Sequence, residues 1–450
     1  MNHHVLMTGF GLSIGITVLF LTLNNPYAYT DRLTGTFDNT YFNQWIQEKI
    51  SEKKAFHLIS IDVYQLKRVN KIWGTSVGDQ VLMQISGCLQ DISDSDHIFR
   101  ITGNRFVVLT YSLEEYERCR NAVLKLFEEA FQIGEEELFC PAIICGIRNG
   151  EDLNDSDVLL AYIEYLVSIA PESEKSVLIQ GDQENLRGFY YEQEIERFLN
   201  TAIEEDLFEV YYQPVYSLET ESYITLEALS RLRHPKFGPV SPEVFIGIAE
   251  KSGQIARIGC LQFRRVCGFI KGHEELMSTI HNIKFNLSPL ELLTRGYCDM
   301  LIQVINEFDL PFSYFQFEIT ETVATEYNED LYQAVSVFLK MGIGLCLDDF
   351  GSGYANLNTV LKLPFSSIKL DRSLLSGICD NEQIASFYKN IVSILQNMGY
   401  SIIAEGVENE KELLLMSEWG VNMIQGYYFS PPVSEKEICE MVINGKEKAC

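Results

Sequence analysis

Residues 342–371 read GIGLCLDDFGSGYANLNTVLKLPFSSIKLD. Residues 343–347 form a short apolar run that ends in two adjacent acids, Asp348 and Asp349. The flexible Gly351-Ser352-Gly353 follows. A second run, residues 367–370, carries Lys369 and ends at Asp371. Short apolar runs bounded by turn residues fit strands covered on both faces. Two such strands joined by a long connection are the unit of a parallel α/β sheet.

The same unit recurs on both sides of this stretch. Strand-like runs lie at residues 208–215, 224–229, 283–287, 315–319, 343–347, 367–370, 401–404 and 423–427. Seven of the eight gaps between and after them can hold a helix, among them residues 242–253, 331–341 and 381–398. Eight β units with intervening helices predict an α/β, TIM-type (β/α)8 barrel over residues 187–446. A doubly wound open sheet is the alternative, but no glycine-rich dinucleotide fingerprint follows the first strand.

Residues 30–182 have a different pattern. Residues 57–63 (HLISIDV) alternate as a strand should, and residues 77–89 have helical periodicity. Residues 97–101, a turn at Thr102-Gly103-Asn104, and residues 105–110 read as a β-hairpin. A helix over residues 113–132 and a strand over 140–147 complete an α+β domain with a central antiparallel sheet. Residues 173–186 are polar, include Gly181 and mark the boundary before the barrel.

Residues 5–23 carry no charge, and at about 1.5 Å per residue such a run just spans a bilayer of about 30 Å. A single-pass membrane helix is therefore expected at residues 1–24. A signal peptide would want Lys or Arg ahead of the run; only His3 and His4 stand there, and Asn24-Asn25-Pro26 is a poor cleavage site. A buried core helix is the third reading. The formal charge of −28, from 63 acidic and 35 basic residues, argues against a basic face for a nucleic-acid polymer. The 11 cysteines are odd in number and contain no CxxC pair, so reduced thiols are expected rather than a disulfide framework.

Polar groups gather at the ends of the barrel strands. Glu227, Asn286, Glu318 with Glu321, Asp348 with Asp349, Lys369 with Asp371, Glu405 with Glu408, and Gln425 belong to seven successive strands. A single acid after a strand is usually a solvated loop residue or a helix cap. Seven in succession are hard to explain as caps, because the carboxyl ends of such strands form one mouth. Carboxylates that converge there repel one another unless cations neutralise them. Oxygen ligands without cysteines or paired histidines suit Mg²⁺ or Mn²⁺. Adjacent Asp348 and Asp349 could both reach the mouth where the strand ends, and ligate two ions about 3.5–4 Å apart, the spacing used on phosphodiesters.

Residues 187–445 resemble the EAL-type cyclic di-GMP phosphodiesterases. The matching motifs are Tyr212-Gln-Pro, Glu227-Ala-Leu-Ser-Arg231 with His234-Pro235, Ala249-Glu250-Lys-Ser-Gly253, Asn286-Leu-Ser288, Glu318-Ile-Thr-Glu321, Asp348-Asp-Phe-Gly-Ser-Gly-Tyr354, Lys369-Leu-Asp371, Ala404-Glu-Gly-Val-Glu408 and Gln425-Gly426. The resemblance implies hydrolysis of cyclic di-GMP to linear pGpG with two Mg²⁺ or Mn²⁺ ions. Glu227, Asn286, Glu318 and Asp348 would hold the first ion. Asp348 would bridge to the second, with Asp349 and Glu405. Lys369 would position the attacking water with support from Glu405. Gln213, Leu229, Arg231, Asp371 and Gln425 would meet the substrate. Glu321 would brace the loop after Asp349, a loop the family also uses in dimer contacts, so a homodimer through this domain is implied. Every catalytic position that aligns keeps its family residue, which sets the enzyme reading above a non-catalytic receptor or an interaction scaffold.

Residues 30–180 resemble the GGDEF (diguanylate cyclase) family. Asp31-Arg-Leu-Thr-Gly35 matches, as do Asp62, Lys67, Asn70 and Asp79, which in that family serve metal, phosphate and guanine. The signature hairpin departs: Thr102-Gly103-Asn104-Arg105-Phe106 stands where the family has Gly-Gly-Asp-Glu-Phe. Tyr64 replaces an early Asp, and Ser93 replaces the arginine of the inhibition motif while Asp96 remains. Arg105 puts a cation where Mg²⁺ needs an anion. The resemblance thus implies a degenerate domain without cyclase activity, with GTP as a regulatory ligand one option and a mere spacer the other. Nucleotide chemistry of this kind places both domains in the cytoplasm and the expected helix in the cytoplasmic membrane.

Overall fold

The computed structural model describes residues 29–94, 97–148, 153, 155–171, 173, 175–321, 329–352, 360–361 and 363–443. The apolar run 5–23 lies outside them. Among the described residues no helix is long and apolar enough to cross a membrane. The chain divides into two compact units, Met1–Tyr191 and Glu192–Cys450, and the division falls within the helix Gln183–Glu204.

The first unit is built on eight strands: β1 (Phe37–Asp38), β2 (His57–Val63), β3 (Ile98–Arg100), β4 (Arg105–Thr110), β5 (Phe131–Ile133), β6 (Glu136–Leu138), β7 (Ala142–Arg148) and β8 (Val177–Gly181). Six of them form one sheet in the order β1-β3-β4-β2-β7-β8. Its inner pairs are antiparallel, as the alternation and hairpin predict, but both edges pair in parallel, β1 with β3 and β8 with β7. The central strand β2 has no solvent face. Ile59, Ile61 and Val63 enter one core, and Leu58, pointing the other way, enters a second.

Two expectations are corrected here. The helix expected over 113–132 ends at Leu126, and β5 and β6 form a small hairpin turned at Gly134, whose φ of +64° suits glycine. The segment taken as a polar boundary contains β8, an edge strand that is only half-buried and so carries a weak apolar signal.

The second unit is a closed barrel. Its strands are β9 (Phe208–Ser217), β10 (Ser222–His234), β11 (Gly238–Val240), β12 (Asn282–Asn286), β13 (Phe315–Thr320), β14 (Gly344–Phe350), β15 (Ser367–Leu370), β16 (Ser401–Glu405) and β17 (Met423–Gln425). The ring runs β9-β10-β12-β13-β14-β15-β16-β17 and closes back on β9, with β11 appended to β10. Adjacent ring strands from β10 to β17 are parallel, whereas β9 is antiparallel to both neighbours. A fully parallel (β/α)8 ring was expected. The cause is the link between β9 and β10, four residues long, which allows a hairpin and not a crossover.

Alternation along the strands positions the mouth. Val215, Cys346 and Ile403 pack together inside the barrel with Met423 against them, as an apolar floor. Side chains two residues away on each strand share that inward face. They are Gln213, Asp348, Glu405 and Gln425, one layer above the floor. The intervening residues point outward into the helix layer, where Phe263 of the helix Ile255–Gly272 packs on Phe285, Phe315 and Phe317.

Candidate active site

Neighbouring strands set the mouth residues side by side. Glu227 of β10 is in register with Lys284 of β12, and Asn286 is in register with Glu318 of β13. Asn286 donates from Nδ2 to Glu227 Oε1 at 2.8 Å. At the end of β14 the pairing with β15 slips between Leu347 and Phe350, and Asp349 adopts φ +56°. Aspartate tolerates this left-handed conformation better than most residues. The irregularity breaks the strict alternation, so both members of the Asp-Asp pair serve the mouth.

Oxygens of Glu227, Glu318 and Asp348 lie within 4.8 Å of one another, and so do oxygens of Asp348, Asp349 and Glu405. Asp348 belongs to both groups. Lys369 Nζ sits among them, 3.1 Å from Glu227, 3.3 Å from Glu318, 3.0 Å from Asp348 and 2.5 Å from Glu405. The contact with Asp348 Oδ1 is ionic only; that oxygen is buried without a hydrogen bond. Gln425 donates to Glu227 and, at 3.0 Å, to Gln213 Oε1, while its own buried Oε1 accepts no hydrogen bond. Five carboxylates therefore face two ammonium groups, Lys369 and Lys284. Orphaned oxygens, an all-oxygen donor set and an excess of negative charge all fit divalent cations such as Mg²⁺ or Mn²⁺.

The electrostatics express that excess. Burial pushes the Glu318 carboxyl up to about 7, against the pull of Lys284 and Lys369. Burial, then the neighbouring Asp348, pushes Asp349 up to about 6. Burial also raises Glu405 despite Lys369. Burial would raise Glu227 as well, but Lys369 and the amides of Gln425 and Asn286 hold it well below the usual range. Burial acts to lower the Lys369 ammonium, yet the surrounding carboxylates keep it far above its ordinary value.

The mouth opens into a cleft of about 340 Å³. Of the residues expected to meet substrate, Gln213, Leu229 and Gln425 line it. Arg231 and Asp371 do not. Arg231 lies 5.4 Å over the Tyr211 ring, and Asp371 caps the short helix Arg372–Leu375 by accepting from Ser373 N at 2.9 Å. Glu321 accepts from Gly351 N at 3.1 Å, at the start of the loop after Asp349. The cleft also holds Arg372, which pairs with Glu408 at 2.9 Å, and the exposed Tyr427. Sequence reasoning missed Arg372, Tyr427 and Lys284. Lys284 had a readable signal, since it precedes Asn286 by two residues on the same strand and must share its inward face.

The first unit holds its signature hairpin differently from a metal site. Arg105 of β4 and Asp62 of β2 are cross-strand partners. Arg105 donates to Asp62 Oδ2 from Nε at 2.9 Å and from Nη2 at 2.7 Å, and also pairs with Glu164. Asn104 Nδ2 donates to Asp62 Oδ1 at 2.8 Å. Both oxygens of Asp62 are thus engaged within the chain. Lys67 and Asp79 are exposed, and Asn70 Oδ1 packs so closely on Gly78 that an added Cβ there would lie 1.9 Å from it. The ten described cysteines are free thiols.

A closed α/β barrel whose mouth gathers carboxylates, amides and a lysine has the donor set of a divalent-cation site. The chain belongs to the EAL domain family, whose model matches residues 196–432, more than half of its length, and it carries a diguanylate cyclase (GGDEF) domain over residues 28–158. Among curated relatives it is 27% identical over 419 residues to the cyclic di-GMP phosphodiesterase NbdA of Pseudomonas aeruginosa, covering 90% of this chain and 53% of that protein. Among solved structures it resembles a PaMucR phosphodiesterase–c-di-GMP complex, at 28% identity and a TM-score of 0.52, covering 54% of this chain and 99% of that one. It shares its fold with the S helix-GGDEF-EAL part of Vibrio cholerae LapD, at 16% identity and a TM-score of 0.63, covering 92% of this chain and 99% of that one. The chain spans 61%, 53% and 51% of three curated relatives it matches.

Without metal, folded Glu318 and Asp349 bind protons more tightly than the unfolded chain, which titrates near 4.5 and 3.8. Their contribution to stability is present below about pH 4 and is lost as pH rises through 6 to 7, a change of a few kcal/mol. In EDTA the melting temperature of the barrel should therefore fall between pH 5 and 8, and millimolar Mg²⁺ should flatten that slope; a slope unaffected by Mg²⁺ would count against the cation site. In the first unit, Arg105→Met should cost about 3–5 kcal/mol, because Asp62 would stay buried without its partner. Denaturant unfolding followed by tryptophan fluorescence, to which Trp45 and Trp73 contribute, measures that loss, and a change under about 1 kcal/mol would refute the role given to the pair.

Proposed function

We propose that the second unit hydrolyses cyclic di-GMP to linear pGpG with two Mg²⁺ or Mn²⁺ ions. The observation that carries this reading is that Asp348 is shared by the two carboxylate groups. Glu227, Asn286, Glu318 and Asp348 would hold one ion, and Asp348, Asp349 and Glu405 the other. When bound, such ions neutralise the phosphodiester and favour ionisation of a water molecule.

The chain's own groups then divide the work. Lys369 is an ammonium held firmly in its charged form, so it donates: it orients the attacking water and steadies the charge that develops on the phosphate oxygens. Glu405 lies against Lys369 and would support its placement of that water, whose proton passes to solvent. The new bond joins the water oxygen to phosphorus, the bond from phosphorus to the 3′ oxygen breaks, and that oxygen leaves with a proton from solvent. Gln213 and Gln425 would hold the phosphate side of the substrate and Leu229 an apolar edge, with Arg231 and Asp371 acting from the rim. A full set of ligands supports an enzyme over a receptor that only binds the nucleotide. In the first unit, the closed Asp62–Arg105 pair supports a domain without cyclase chemistry.

Purified protein with either metal should convert cyclic di-GMP to pGpG, and Glu227→Ala or Asp349→Ala should cut turnover by orders of magnitude without unfolding the barrel. No pGpG from the wild-type protein, by chromatography, would sink the catalytic reading. We also propose that residues 5–23 tether the protein to the cytoplasmic membrane with both units in the cytoplasm. Tagged full-length protein should then sediment with membranes and be released by detergent; uncleaved protein in the soluble fraction would contradict the tether.

A further inference from the structure

Lys284 is a charged side chain in the floor of the barrel. It lies on β12 one alternation below Asn286, and only 1% of it is exposed. Around it on the same inner layer are Cys346, Val215 and Ile403, and Gln316, whose amide is spent on Ser366 and Ser367 at 2.7 and 3.0 Å. A buried ammonium in such surroundings is costly unless it is paired. Its one hydrogen-bonded carboxylate is Glu318, Nζ to Oε1 at 2.9 Å, and both side chains are essentially without solvent. Glu318 presents its other oxygen, Oε2, to Lys369 at 3.3 Å. Glu318 is thus fixed from below by Lys284, and one oxygen alone is left toward the mouth.

We infer that Lys284 is a positioning residue that pins Glu318 as a one-oxygen ligand and pre-neutralises the mouth, so that the site stays assembled without metal and binds divalent ions less tightly than its carboxylates alone would. The inference rests on the cation-site reading above. Three carboxylates in one group, Glu227, Glu318 and Asp348, would draw a divalent ion strongly. A permanent positive charge on the far side of Glu318 opposes that pull across one carboxylate group, in surroundings that screen weakly. Loss of orientation at Glu318 would act the other way, but one hydrogen bond to a carboxylate already held by its strand is the smaller effect. Removing the charge should therefore tighten metal binding while loosening the metal-free protein. A residue that merely fills space would loosen the fold and leave affinity unchanged or weaker.

The test uses the full chain as wild type, Lys284→Met, Glu318→Gln and the double variant. Melting in EDTA should show a drop for Lys284→Met that the double variant largely recovers, since it removes both buried charges. Titration with Mn²⁺, read by electron paramagnetic resonance of the free ion, should show about tenfold tighter binding for Lys284→Met. An unchanged melting temperature, or Mn²⁺ binding equal to or weaker than wild type, overturns the inference. If Lys284→Met cannot be obtained folded, a folded double variant supports the pairing and an unfolded one overturns it. If the wild type binds no Mn²⁺ at millimolar concentration, the cation-site reading fails first, and the melting cycle alone decides whether Lys284 and Glu318 act as a pair.

Discussion

The mutual repulsion of carboxylates in the barrel mouth, met chiefly by the ammonium of Lys369, is the constraint on which the rest of this unit depends. Glu227, Glu318, Asp348 and Glu405 all contact that one group. An ammonium has three protons to give, so it cannot satisfy four carboxylates and leave nothing over. Burial first, and then repulsion among the acids, raises the carboxyls of Glu318, Asp349 and Glu405, and one Asp348 oxygen has no hydrogen bond. The site is held within a closed ring of strands. Closure of the ring removes every edge, and the outward faces of the same strands bury Phe285, Phe315, Phe317 and their neighbours against the helices.

How much of this was legible in the sequence depends on which periodicity carried it. The barrel strands were readable because both faces are covered, which makes each a short apolar run, and because the acids that interrupt those runs fall at their ends. The inward positions follow from counting by two, and that rule brings Asp348, Glu405, Gln425 and Gln213 to one layer. It also reaches Lys284, two residues before Asn286 on the same strand. The reversed strand β9 was not legible as such. Strand composition does not encode direction, and the length of the link to β10 is what distinguishes a hairpin from a crossover. The half-buried edge strand β8 failed for the opposite reason, since an edge with one wet face has no strong apolar pattern. Arg231 lies over Tyr211 and Asp371 caps a short helix, and both remain within electrostatic reach of mouth acids, Arg231 of Glu227 and Asp371 of Asp349.

The two units face the same physical problem and solve it differently. In the first, the buried acid is Asp62, a single carboxylate. One guanidinium can match it, and Arg105 does so with two donors on one oxygen while Asn104 takes the other. Guanidinium geometry suits this, because its donors diverge in a plane and stay charged at any ordinary pH. Both oxygens of Asp62 are thereby engaged within the chain. In the barrel the acids outnumber the protein's own cations, and no rearrangement of Lys369 and Lys284 can close the deficit.

That difference decides how far a single change of charge reaches in each unit. Where a cation site rests on one or two carboxylates, a single arginine on a neighbouring strand both removes an acid and supplies the missing positive charge, and the result is an ordinary cross-strand ion pair that helps the fold. In the barrel the acids come from β10, β13, β14 and β16, so replacing any one leaves the others still in excess and still converging. The protein's lysines reduce the excess without cancelling it. A mouth built this way keeps its demand for divalent cations through many single changes, because that demand is a property of the whole ring and of no single residue in it.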